Sequence, residues 1–86
     1  MPDLATDNEP VLLREDHGRV CVLTLNRPRA MNALSSELIA ALDREFDRLN
    51  ADEAIRVVLI QANGRAFCAG HDLREVRSSE AYAFHF

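Results

Sequence analysis

Lysine is missing altogether from these 86 residues, so all ten cationic side chains are arginines, a bias of genome composition rather than the mark of a site. Acidic residues outnumber them 14 to 10, for a formal net charge of −4. That balance argues against a nucleic-acid surface, which needs basic clusters. Cysteine is scarce. Cys21 and Cys68 make no disulfide framework and point to no oxidising compartment. No apolar run approaches the ~20 residues of a membrane-spanning helix. Repeats, heptads and low-complexity tracts are missing too. The first residues, MPDLATDNEP, are acidic and lack the basic and apolar segments of a signal peptide. Residues 1–9 are expected to form a short disordered arm. The protein is expected to be cytoplasmic, with neither nucleic acid nor membrane as a partner.

What is present suits one small domain or part of a larger one, since 48% of the residues are apolar. Val11 to Arg14 forms a short apolar run. Glu15-Asp16-His17-Gly18 reads as a turn with His17 solvated in it, and Arg19 to Leu25 is rich in β-branched residues. Together they predict an antiparallel hairpin. Val20, Val22 and Thr24 would face one side of the second strand, and Cys21, Leu23 and Leu25 the other. Both sets are largely apolar, which predicts burial on both faces. Pro28 ends the strand and restricts Arg27 to extended backbone. Ser35 or Ser36 can cap a helix whose apolar stripe is Leu38, Ile39, Leu42, Phe46 and Leu49. Asp43, Arg44, Asp47 and Arg48 form a solvated face. A buried strand is predicted over 56–62, which makes a parallel crossover unit. Asn63-Gly64-Arg65 turns the chain, and a second helix starts near Asp72. Tyr82, Phe84 and Phe86 follow with nothing after them to cover them. One full helix cannot cover both faces of a parallel pair. The fold is therefore expected to be part of a larger one or to depend on partners.

The stretch AFCAGHDL, residues 66–73, holds the candidate chemistry. Cys68 as a nucleophile needs a base, and His71 is only three residues away, whereas catalytic pairs are usually far apart in sequence. A metal needs three or four converging ligands, and Cys68, His71 and Asp72 show no CxxC or HxxxH spacing, so no metal is expected. The third reading uses the backbone. Ala69 and Gly70 let a ligand approach the main chain closely. N–H groups at the first turn of the following helix would be unpaired and could stabilise charge on a carbonyl oxygen. An ordinary tight strand-to-helix turn fits the same residues equally well.

NRPRAMNAL at 26–34, SSELIAAL at 35–42, AIRVVLIQANG at 54–64 and RAFCAGHDLRE at 65–75 resemble, as an ordered set, the N-terminal part of the crotonase, or enoyl-CoA hydratase/isomerase, superfamily. The resemblance runs over roughly residues 10–77. It implies an α/β fold, the first part of a spiral of ββα units, with residues 10–86 a partial domain of that kind. It implies a trimer or a pair of trimers, and an acyl-CoA thioester as substrate, with coenzyme A part of the substrate and no separate cofactor. The thioester carbonyl would sit in an oxyanion hole, with one donor the backbone N–H of His71. Arg29, Ala30 and Met31 match the segment along the CoA moiety, with Arg29 placed for its phosphates. Ala69, Gly70, Asp72 and Leu73 match positions beside it, and Asn32 a structural turn or capping residue. The reaction implied is hydration or isomerisation of a 2-enoyl-CoA. The second oxyanion donor and two catalytic glutamates belong to segments beyond residue 86. Glu53, Glu75 and Glu80 do not match them, so this chain alone is expected to be inactive. The alternative is a non-catalytic remnant that serves as an interaction module.

Overall fold

The computed structural model describes residues 9–78. The expected disordered arm, apart from Glu9, and the segment with Glu80, Tyr82, Phe84, His85 and Phe86 lie outside the described residues. Strand β1 (Leu12–His17) pairs antiparallel with β2 (Val20–Leu25), and β2 pairs parallel with β3 (Val57–Ala62), in the order β1-β2-β3. A short 3-10 turn (Pro28–Ala30) and helix α1 (Ser36–Asn50) form the crossover, and α2 (Leu73–Ser78) follows the loop after β3. The predicted α/β architecture is present.

β1 runs further than expected. His17 pairs with Val20, and the turn is reduced to Gly18-Arg19. His17 is a strand residue, exposed and 3.4 Å from Glu15. Two-residue hairpin turns let pairing continue to the residues that flank them. Ser35, rather than Ser36, caps α1: it is extended, and its hydroxyl accepts from the Leu38 N–H at 3.1 Å.

The register divides the sheet into two faces. Leu12, Arg14 and Asp16 share one with Cys21, Leu23 and Leu25 and with Val58, Ile60 and Ala62. α1 covers only part of it. Arg14 donates to Glu45 of α1 at 3.1 Å and lies 3.6 Å from Asp52, which places the helix toward the β1 side. Cys21, Leu23 and Leu38 are fully buried, with Leu25 and Ala41 close behind.

Two expectations of burial are corrected. The β2 face carrying Val20 and Val22 is only half-buried, although Thr24 on it is buried. β3 is largely open rather than buried: Val57, Val58, Leu59 and Ile60 are 38–54% exposed, and Ala62 is half-buried. It is an edge strand, and α1 sits away from it. The helix stripe is corrected in the same way. At 100° per residue, Leu38, Ala41 and Glu45 form the seam toward the sheet. Leu42 and Leu49 lie at its border, half-buried, while Ile39 and Phe46 lie further round and are exposed.

Candidate functional site

The site begins where β2 ends. Asn26 is buried. Its N–H donates to Val11 O at 2.7 Å, its Nδ2 donates to Pro10 O, and its Oδ1 accepts from Asn63 Nδ2 at 2.9 Å. The next residue, Arg27, is not extended. Its φ of −125° and ψ of 56° open the 3-10 turn, because its N–H donates back to Asn32 Oδ1 at 2.7 Å.

Asn32 is the hub of the loop. It is fully buried in the left-handed region, at φ 54°. Its Nδ2 donates to Asn63 O and Ala66 O, each at 2.8 Å. One amide therefore bonds three backbone groups and ties the loop before α1 to the loop after β3. The sequence reading placed Asn32 as structural, and this is its task. The cap before α1 is Ser35.

Segments 29–34 and 66–73 then run side by side. Ala69 N–H donates to Met31 O at 3.0 Å. Leu34 N–H donates to Gly70 O at 2.7 Å, and Asp72 N–H donates to Leu34 O at 3.2 Å, which makes Leu34 and His71 a parallel bridge. Among the described residues all peptide bonds are trans. In a trans peptide the C=O and the next N–H point in opposite directions. Gly70 C=O points at Leu34, so the His71 N–H points to the other side, away from that segment.

Exposure follows the same alternation. Ala69, His71 and Leu73 are exposed, with Leu73 at 70%, while Gly70 and Asp72 are half-buried. Met31 and Arg29 are exposed on the neighbouring segment, and Ala30 is half-buried. The expected site residues thus lie on two hydrogen-bonded, adjacent segments. A Cβ built on Gly70 meets no atom within 4 Å, so the space beside that backbone is open to a ligand.

The expected source of free N–H groups is corrected. At the start of α2, the Asp72 N–H goes to Leu34 O, the Arg74 N–H to Asp72 Oδ1 at 3.0 Å, and the Glu75 N–H to Asp72 O. These donors are already used, by the bridge and by the Asp72 cap. The His71 N–H precedes the helix, on the opposite side of its peptide from the Gly70 C=O.

Two charged contacts that the sequence reading missed hold this loop. Arg27 Nη2 pairs with Asp72 Oδ2 at 3.1 Å, with side chains 20% and 11% exposed, and its Nη1 donates to Ala33 O. Burial pushes the Asp72 carboxyl upward, but the Arg27 guanidinium and the Arg74 N–H outweigh it and hold its pKa below the ordinary carboxylate value. Glu75 Oε1 accepts from Ser36 N–H at 2.8 Å and from Ser36 Oγ at 2.6 Å, placing a carboxylate at the N-terminus of α1. No local signal gives either contact away, since the partners are 45 and 39 residues apart.

Cys68 is half-buried and Cys21 is buried, and both are free thiols. Burial pushes the Cys21 thiol up. Among the described residues, no three of His, Cys, Asp and Glu converge as a metal-ligand set.

Residues 20–83 match the family model described as enoyl-CoA hydratase/isomerase. The chain is 43% identical over 65 residues to the 2,3-dehydroadipyl-CoA hydratase of Escherichia coli (strain K12), covering 76% of this chain and 26% of that protein. It is 42% identical over 65 residues to 3-hydroxyisobutyryl-CoA hydrolase 1 of Arabidopsis thaliana, covering 76% and 17%. An enoyl-CoA hydratase structure from Mycobacterium smegmatis superposes with a TM-score of 0.82 at 51% identity, over 87% of this chain and 30% of that one. The chain thus spans less than a third of the length of the relatives it matches.

Proposed function

The chain belongs to the enoyl-CoA hydratase/isomerase family, and from that premise we propose that residues 29–34 and 66–73 bind an acyl-CoA thioester and polarise its carbonyl. The supporting observation is the orientation of the Gly70–His71 peptide. Its C=O is tied to Leu34, so its N–H points away from the 29–34 segment, between the exposed residues Ala69 and Leu73 in sequence. A thioester oxygen that accepts from this N–H gains most as it takes on enolate character, which is when such a donor accelerates reaction. Arg29, exposed on the 3-10 turn, reaches the CoA phosphates, while Met31 and Leu73 offer apolar surface to the pantetheine and acyl parts. Asp72 acts through the loop, since its carboxylate is taken by Arg27 and by the start of α2.

In this reading the substrate is a 2-enoyl-CoA of fatty-acid metabolism, hydrated or isomerised in the cytoplasm by a trimeric protein. Coenzyme A enters as part of the substrate. Residues 10–86 supply one oxyanion donor and part of the CoA groove. The second donor and the acid/base glutamates come from other parts of such a fold, so this chain alone binds thioester without hydrating it. General acid–base catalysis is worth typically about 10²–10⁴ in rate.

Calorimetric titration with crotonyl-CoA tests the proposal. His71→Ala keeps the N–H and leaves affinity within about threefold, whereas His71→Pro deletes the donor and weakens binding by about tenfold or more. Equal losses in both variants would instead assign the contact to the imidazole. A second reading, a non-catalytic interaction module, draws on the uncovered apolar faces of β3. It predicts no crotonyl-CoA binding by the wild-type chain.

A further inference from the structure

We infer that Arg65 is a second phosphate-binding residue, which closes with Arg29 on one phosphate group of the CoA nucleotide. The inference rests on the reading of the 29–34 segment as part of a CoA groove. It comes from the way two turns are fastened together. Asn32 Nδ2 donates to Asn63 O and to Ala66 O, each at 2.8 Å, so one amide grips the chain on both sides of Gly64-Arg65. Asn63 is itself held, with its N–H on Leu25 O at 3.0 Å and its Nδ2 on Asn26 Oδ1 at 2.9 Å. Gly64 lies so close to the 3-10 turn that a Cβ on it would stand 2.7 Å from Pro28 Cβ. The residues that directly follow the two contact points are Arg29, after Pro28, and Arg65, after Gly64. Both are exposed.

These two arginines lack counter-charges. Arg14, Arg27 and Arg48 each meet a carboxylate, whereas among the described residues no acid lies within ion-pair range of Arg29 or Arg65. Two like charges on adjoining turns repel, and an anion between them reverses the sign of that interaction. The anion best suited is a phosphate. A carboxylate is satisfied by one guanidinium fork, while a phosphate monoester carries nearly two charges on three oxygens, enough for two forks. The backbone under both side chains is already fixed by the Asn32 and Asn63 amides. Binding therefore has only the side chains to order.

Two comparisons test the pair. Adenosine 3′,5′-bisphosphate carries phosphates of the CoA nucleotide without any thioester, and crotonyl-pantetheine carries the thioester without the nucleotide. By calorimetry at low ionic strength, Arg65→Gln weakens the bisphosphate and crotonyl-CoA each about fivefold and leaves crotonyl-pantetheine within about twofold. Arg29→Gln behaves alike. The double variant loses less than the product of the two, because each arginine completes the contact of the other. Arg65→Lys, which keeps the charge but not the fork, recovers part of the affinity. Arg65→Gln that binds the bisphosphate as the wild type does overturns this inference alone, as do losses that multiply in the double variant. Equal losses of crotonyl-CoA and crotonyl-pantetheine in Arg65→Gln also overturn it, since they mark a general disturbance of the loop. A wild-type chain that binds both thioesters equally well overturns it too. A wild-type chain that binds neither overturns the CoA-groove reading and this inference with it.

Discussion

Asn32 shows how much one buried side chain can carry. Asn32→Asp keeps an acceptor for the Arg27 N–H but cannot donate to Asn63 O or Ala66 O. It sets a carboxylate against two carbonyls. Asn32→Gly keeps the left-handed backbone and loses the side chain. Both variants are expected to lose about 2–4 kcal/mol in urea unfolding, with Asp the worse. A loss below about 1 kcal/mol in either would mean that the two loops hold together without the amide. Two glycines in the same region separate strain from space. Gly64 has a φ of +93°, and a Cβ there would lie 2.7 Å from Pro28 Cβ and 3.1 Å from Pro28 Cα. Gly70 has a φ of +96° and open space around it. Gly64→Ala must therefore displace the 3-10 turn, whereas Gly70→Ala carries backbone strain alone, about 1–2 kcal/mol. The expected order of melting temperatures is wild type, then Gly70→Ala, then Gly64→Ala. Gly70→Ala should still lose thioester binding, because its methyl fills the approach to the main chain.

The hairpin, the crossover helix and a serine cap at 35 or 36 were legible because each rests on local signals: alternation, a short turn, and a hydroxyl about three residues before the N–H it accepts. The contacts that shape the loop were not. Arg27 and Asp72 are 45 residues apart, and Arg14 and Glu45 are 31 apart. A single sequence carries no record of which distant charges meet. The exposure of β3 was illegible for another reason. An apolar run records that a strand suits burial, not what covers it. The ion pairs predict a pH dependence. Asp16, hydrogen-bonded by Arg14, and Asp72, bonded by Arg27, both sit below the ordinary carboxylate pKa. A carboxyl depressed on folding adds stability above its unfolded value and loses it as pH falls through its folded value. Melting temperature should hold from neutrality to about pH 4 and then fall. Asp72→Asn should start lower and show a shallower fall over that acid window. Parallel acid profiles for the two proteins would deny Asp72 this part.

The molecule has a one-sided core. Cys21, Leu23 and Leu38 meet between α1 and the β1–β2 half of the sheet, while β3 leaves Val57 to Ile60 open and α1 leaves Ile39 and Phe46 open. Contiguous apolar surface of this kind drives association. Leu59→Lys on β3 should therefore change unfolding free energy by no more than about 0.5 kcal/mol. It should still shift sedimentation toward the 9.7 kDa monomer. Marked destabilisation of the dilute monomer by Leu59→Lys would mean that Leu59 is buried within the chain itself. Thiol labelling checks the same core from inside. Half-buried Cys68 should react well before buried Cys21, and Cys21 only on unfolding.

Thioester binding at this loop turns on one proton, the amide hydrogen of His71. Labelling with 15N-histidine marks three backbone amides, His17, His71 and His85. Titration with crotonyl-CoA should move the His71 amide proton downfield to saturation while His17, in β1, stays in place. Butyl-CoA thioether should not produce that downfield shift. A His71 amide that ignores the thioester, or answers both ligands alike, would contradict the claim that the carbonyl is held there.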